Sequence, residues 1–143
     1  EFTGAELEIR WDLGHTAAGH WQLFGFYDRV RAELEDGSNV PRIPPERIGL
    51  GFDWDHRAWA ANLTWIHADD HTRTAEFETP TPGYDLLNAE IAWYVEIGGD
   101  IGLDFFLKGQ NLLDEDIRNS TSYLKDQAPQ IGRNIVFGVR STF

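Results

Sequence analysis

Large apolar side chains fall on alternate positions along most of this chain, which is the repeat of a β-strand and not of a helix. Between Arg133 and Phe143 the apolar set is Ile135, Phe137, Val139 and Phe143, broken once by Ser141. The intervening set is Asn134, Val136, Gly138, Arg140 and Thr142. The same alternation carries Leu7, Ile9, Trp11 and Leu13; Ile48, Leu50, Phe52 and Trp54; Trp59, Ala61, Leu63 and Trp65; Leu87, Ala89, Ile91, Trp93 and Val95; and Ile101, Leu103, Phe105 and Leu107. The segment from Trp21 to about Leu34 is ambiguous, because Leu23 and Tyr27 compete with Phe24 and Phe26 for the apolar side. These segments predict about seven strands, longer than the five or six residues usual in soluble proteins. The polar stretch from Asp114 to Asp126 predicts a turn or short helix at most.

The connections alternate in length. Gly14–Gly19, Asp55–Arg57 and Gly98–Asp100 are short, whereas Glu35–Pro45, Asp69–Gly83 and Leu112–Gly132 are long. Up-and-down antiparallel strands with short turns at one end and long loops at the other form the pattern of an outer-membrane barrel. If the chain ends on the periplasmic side, the three long loops face outward. The alternative is a soluble lipocalin-like carrier, whose apolar face points inward. The membrane is favoured by Trp and Tyr near strand ends (Trp11, Trp21, Tyr27, Trp54, Trp59, Trp65, Tyr84, Trp93), by Gly, Asp, Glu and Asn on the polar side, and by strand length. Seven strands are an odd number for a free-standing barrel, and an open sheet leaves edges that lipid does not tolerate. A missed strand or a larger barrel is therefore expected.

Composition narrows the function classes. Hydrophobic residues make up 41% and aromatics 13%, enough apolar surface for a core. The net charge of −12 argues against a nucleic-acid partner. With no cysteine, neither disulfides nor thiolate metal sites are available. The chain opens on Glu1-Phe2-Thr3 already in strand alternation, so a targeting segment has been removed or the chain is a piece of something longer.

Several segments carry a family resemblance. Gly109-Gln110-Asn111-Leu112-Leu113-Asp114 resembles the N-L-F-D signature in the penultimate strand of TonB-dependent outer-membrane receptors. Pro129-Gln130-Ile131-Gly132-Arg133-Asn134 is similar to the P-x-x-G-R-x that opens their last strand, and the chain closes on Phe143 as they do. Pro41-Arg42-Ile43-Pro44-Pro45-Glu46-Arg47 resembles the P-R-x-P-P-x-R that precedes a descending strand. Glu78-Thr79-Pro80-Thr81-Pro82-Gly83 and the loop from Ser122 to Arg133 look most like receptors of the zinc-uptake type. The resemblance implies a C-terminal part, residues 1–143, of a 22-stranded barrel in the outer membrane of a Gram-negative bacterium, without the plug domain. It implies energy-coupled import of a metal ion, a ferric siderophore or haem. The implied partners are the plug and remaining strands, the TonB complex acting through the plug, outer-membrane lipid and lipopolysaccharide, and the barrel-assembly machinery reading Phe143.

Candidate chemistry is sparse. His67, Asp69, Asp70 and His71 form one metal-like cluster, set against the plain alternative of a hydrated acidic loop. Arg29, Arg31, Arg42 and Arg47 suit lipopolysaccharide phosphates, or pairing with Glu33, Glu35 and Glu46. Asp114, Glu115, Asp116 and Asp126 could attract cations. No nucleophile elbow, phosphate loop or HExxH stands in the sequence, so an enzyme is not expected and no cofactor is implied.

Overall fold

The computed structural model describes residues 1–99 and 101–143; Asp100, placed by the sequence in the last short turn, lies outside them. Seven strands follow in order: β1 (Phe2–Thr16), β2 (Gly19–Ala32), β3 (Arg47–His56), β4 (Trp59–Ala68), β5 (Tyr84–Gly98), β6 (Ile101–Gln110) and β7 (Asn134–Thr142). They form a single antiparallel sheet in sequence order, β1 to β7, each strand pairing with the next. The 114–126 segment holds turns and no helix.

Register decides which side chains share a face. One unbroken row runs Trp11, Leu23, Phe52, Leu63, Ala89 and Gly109 to Ile135, each paired with the next across the sheet. Because the side-chain period is two, every residue in phase with that row shares its face. Leu7, Leu50, Trp65, Ile91, Leu107, Phe137 and Val139 therefore join it, and the alternation seen in separate segments becomes one continuous apolar surface. The competition in β2 is resolved: Leu23 and Tyr27 lie on the apolar face, Phe24 and Phe26 on the polar one. Glycine explains why rings are tolerated there. A Cβ at Gly51 would overlap the Phe24 ring, and one at Gly49 the Phe26 ring. The two rings thus lie flat on bare backbone opposite them, a cross-strand aromatic–glycine pairing that costs no lateral space.

The polar face is laced across strands. The Arg47 guanidinium forks onto Asp28 at 2.8 and 3.1 Å, and Asn62 donates to Asp53 at 2.6 Å. Lys108 meets Glu90 at 3.0 Å. On the apolar face, aromatic rings gather towards the short turns: Trp21 sits 5.8 Å from Trp54, and Trp59, Trp93 and Phe105 stack in a row at 5.7 Å steps. Tyr84 departs from expectation. Its partner Ala68 is in phase with Arg47, so Tyr84 belongs to the polar face and not to an aromatic girdle.

The first turn is tighter than the sequence suggests. An irregularity at Leu13 shifts the β1–β2 register, and Gly14, at φ 83°, donates to Asp12 Oδ1 at 2.7 Å. A bulge of this kind absorbs one residue, and β1 then continues to Thr16. Ala17 and Ala18 alone make the reversal.

The sheet has almost no interior. Among the described residues the buried apolar side chains are Ala32, Ala68 and Ile117, while Leu50 is 56% and Phe137 68% exposed. An apolar surface this extensive demands cover from outside these residues.

Candidate functional site

The three long connections, residues 33–46, 69–83 and 111–133, leave the same end of the sheet and pack on one another. Their order begins with Asn111, in the left-handed region at φ 48° and only 2% exposed. Asparagine tolerates that conformation because its short amide can bond locally. The Asn111 backbone N–H donates to Asn88 Oδ1 at 2.9 Å, and its side-chain amide donates to the carbonyls of Glu115 at 2.8 Å and Ile131 at 3.2 Å. In return Glu115 N–H donates to Asn111 Oδ1 at 3.0 Å. Leu112 N–H donates to the Leu87 carbonyl at 2.8 Å, and the Leu112 side chain covers Gly109. Asp114, also left-handed, accepts from Arg133 N–H at 2.9 Å, and a Cβ at Gly132 would press on that same carboxylate at 3.3 Å. The Asn111-Leu112-Leu113-Asp114 motif is thus a clamp that fastens both ends of the last long loop. Pro129 follows within that loop, and Phe143 stands 95% exposed beyond β7 at the opposite end.

A second knot joins the loops. His71 and Thr81 exchange backbone hydrogen bonds at 2.8 and 3.0 Å. Lys125, buried, reaches from the last loop to donate to Thr81 Oγ1 at 2.6 Å and to the Thr79 carbonyl. Glu78 accepts from the backbone N–H of Arg42 at 2.7 Å and of Ala75 at 2.8 Å, tying the first loop to the second. Burial pushes the Glu78 carboxyl pKa up, but those two donors, with His71 and Lys125 nearby, hold it below the ordinary value. Burial lowers the His71 pKa, favouring the neutral imidazole.

Both shifts act in one direction with pH. A histidine whose folded pKa is depressed destabilises the folded state once pH falls below its unfolded value of about 6.5, because the unfolded chain then binds more protons. Glu78, with a depressed folded pKa, withdraws its own contribution as pH drops below about 4.5. The cap is therefore expected to loosen on acidification, beginning below pH 6.5. Hydrogen exchange at the His71 and Thr81 amides, corrected for intrinsic rate, should quicken between pH 8 and pH 5.5 in the wild type and stay level in His71→Leu.

Above this knot lies a half-open groove of about 520 Å³, bordered by Arg42, Glu76, Phe77, Tyr123 and Asp126. Phe77 is 96% exposed and Tyr123 87%. Phe77 also holds φ 68°, a region rare for a bulky side chain, and such outliers gather at binding loops. The Arg42 guanidinium lies over the Tyr123 ring. Neither Phe77 nor Tyr123 sits in an alternating segment, and Tyr123 stands out in the sequence only within the Ser122-to-Arg133 loop that carries the family resemblance.

The sequence-expected metal cluster is divided. His67 stands on the apolar face with Asp69 at 3.3 Å on Nε2 and Asp85 at 3.1 Å on Nδ1, so carboxylates hold opposite edges of one imidazole and do not converge. Asp70 is occupied by Gly83 N–H at 2.7 Å. His71 is drawn into the loop knot. Among the described residues no group of three or more His, Asp or Glu side chains is arranged to hold a metal ion. The arginine group is divided as well: Arg47 is paired on the polar face, Arg42 belongs to the groove, and Arg29 and Arg31 lie in phase with Tyr27 on the apolar face.

Residues 1–112, from the first strand into the clamp, match the model of the TonB dependent receptor-like β-barrel. The chain belongs to the TonB-dependent receptor β-barrel family. A solved structure described as the copper transporter OprC superposes with a TM-score of 0.77 at 17% identity, covering 96% of this chain. At that identity the likeness carries the fold alone. The chain spans 23% of that neighbour's length, so these strands correspond to under a quarter of it. The all-β up-and-down sheet expected from the alternation is the fold of this receptor family. The match stops at Leu112, short of Pro129, Gly132, Arg133 and Phe143.

Proposed function

We propose that this chain is wall and outer cap of an energy-coupled outer-membrane receptor that captures a scarce nutrient as an organic metal complex. On this reading the apolar face meets lipid, the polar face lines the lumen, and the long loops face outward. The plug domain and the remaining strands come from other parts of the receptor. The TonB complex acts through the plug, and the assembly machinery reads the exposed Phe143. Residues 1–143 would then be the C-terminal segment of the barrel.

The observation that carries the substrate class is the pair of exposed rings, Phe77 and Tyr123, on the loop groove. A bare divalent ion needs three or four converging ligands. Exposed rings with a guanidinium suit the flat organic surface of a siderophore or haem. That the neighbouring fold is described as a copper transporter agrees with metal nutrition as the broad class. Zinc uptake, suggested by the Glu78-to-Gly83 segment and the Ser122-to-Arg133 loop, is the finer alternative.

Phe77→Ala/Tyr123→Ala in the intact receptor should weaken binding of a ferric siderophore or haem about tenfold, the sum of two stacking contacts. Isothermal titration against both ligands and against zinc chloride checks this. Unchanged affinity for both complexes would remove the groove from ligand capture. Zinc binding lost in His67→Ala/His71→Ala would favour the zinc reading. Recovery of the native protein in the soluble fraction without detergent would sink the membrane reading.

A further inference from the structure

The loop groove is built without any strand. Its walls come from the three long connections: Arg42 from the first, Phe77 from the second and Tyr123 from the third. Strand pairing fixes where each loop leaves the sheet, but not how far apart the two rings stand. Contacts between the loops must set that separation.

The second and third connections share few such contacts. Among the described residues, every hydrogen bond between them comes from Lys125 or its neighbour Asp126. Asp126 accepts from Thr79 Oγ1 at 3.3 Å on the exposed surface. Lys125 is 7% exposed, and it donates to Thr81 Oγ1 at 2.6 Å and to the Thr79 carbonyl. Burying an ammonium is unfavourable unless its protons are met, and here acceptors on the opposite loop meet two of the three.

The tie acts at short range on both sides. Thr79 lies two residues after Phe77, and Lys125 two after Tyr123. The turn carrying Tyr123 is closed within its own loop. Leu124 N–H donates to Ser122 Oγ at 3.1 Å, Ala128 N–H to the Leu124 carbonyl at 2.8 Å, and Arg118 Nη1 to the Lys125 carbonyl at 3.0 Å. On the other side, the Glu78 carboxylate gathers the N–H groups of Ala75 and Arg42. Each ring therefore moves with its own end of the Lys125 bond.

Resting on the groove reading above, we infer that Lys125 is a positioning residue for ligand capture. Its ammonium fixes Tyr123 relative to Phe77, so that the groove is formed before ligand arrives. A preformed site avoids the ordering cost of binding. Losing the tie slows association, because only receptors with both walls in place can capture ligand. Losing a contact speeds dissociation instead.

Stopped-flow binding of haemin and of a ferric trihydroxamate to the intact receptor in detergent separates the two. Lys125→Met should lower the association rate about tenfold and leave dissociation unchanged. Thr81→Val keeps Lys125 and removes only its hydroxyl acceptor, and it should slow association about threefold. Phe77→Ala/Tyr123→Ala should raise the dissociation rate about tenfold at an unchanged association rate. A direct readout of the walls needs no ligand. This chain has no cysteine, so spin labels on Glu76→Cys and Leu124→Cys, both exposed positions, are unique within it. Electron–electron distance measurements should give one narrow separation with Lys125 and a broad one in Lys125→Met. Equally narrow separations would overturn the inference. So would a raised dissociation rate in Lys125→Met, which would make the lysine a ligand contact. If the ring variant speeds dissociation while Lys125→Met and Thr81→Val associate like wild type, this inference alone falls. If the ring variant alters neither rate, the groove reading falls and takes the inference with it.

Discussion

Asn111→Ala should release the last long loop from the barrel while leaving the strands paired. The substitution removes an amide that donates to two carbonyls and accepts from one N–H, all from a site 2% exposed. Leaving buried polar groups unmet costs about 1–3 kcal/mol each, and alanine is less content than asparagine in the left-handed region. The expected loss is on the order of 3–5 kcal/mol of local stability. Trypsin at pH 8 reads this directly, because cleavage after Lys125 requires that buried side chain to leave Thr79 and Thr81. Asn111→Gly separates the causes, since glycine accepts the backbone angle but makes none of the bonds. If the clamp is what matters, Gly and Ala should both open the loop. Cleavage as slow in both variants as in wild type would show that the motif does not hold the cap.

The second large effect discriminates the two faces of the sheet. Leu63 and Thr64 are neighbours midway along β4, but Leu63 shares the row with Phe52 and Ala89, and Thr64 the row with Gly51 and Asn88. Arginine on the lipid side of a barrel midplane costs about 2–4 kcal/mol. Leu63→Arg in the intact receptor should lower stability by about that amount, whereas Thr64→Arg should fall within about 1 kcal/mol of wild type. Urea-induced unfolding into lipid vesicles measures the difference. Were Thr64→Arg the more damaging, the polar face would be the one packed away from water, and the assignment of the apolar face to lipid would fall.

Much of this could be read before any coordinates. A period of two needs no long-range information, so strand type, strand number and the alternation of short and long connections were legible from Leu7 to Phe143. The clamp was legible only as a resemblance. Its residues stood out, but the bonds from Asn111 to Asn88 and Ile131 join positions about twenty residues apart, and spacing does not report such closure. Phe24 and Phe26 were ambiguous because their environment is a pair of glycines on the next strand. The metal-like cluster shows the opposite failure. Four candidate ligands within five residues look convergent in one dimension, yet a strand end turning into a loop sends His67 and His71 to different surroundings.

The sequence by itself determined the local geometry, because alternation, turn residues and chain reversals are set by neighbours a few positions away. The tertiary structure alone decided what those elements mean together. Register merged separate apolar segments into one surface, sorted the arginines among two faces and a groove, and buried a lysine and a histidine between loops. Each of those outcomes depends on pairings between distant residues, where a shift of one position exchanges the faces and carries every side chain to the other side.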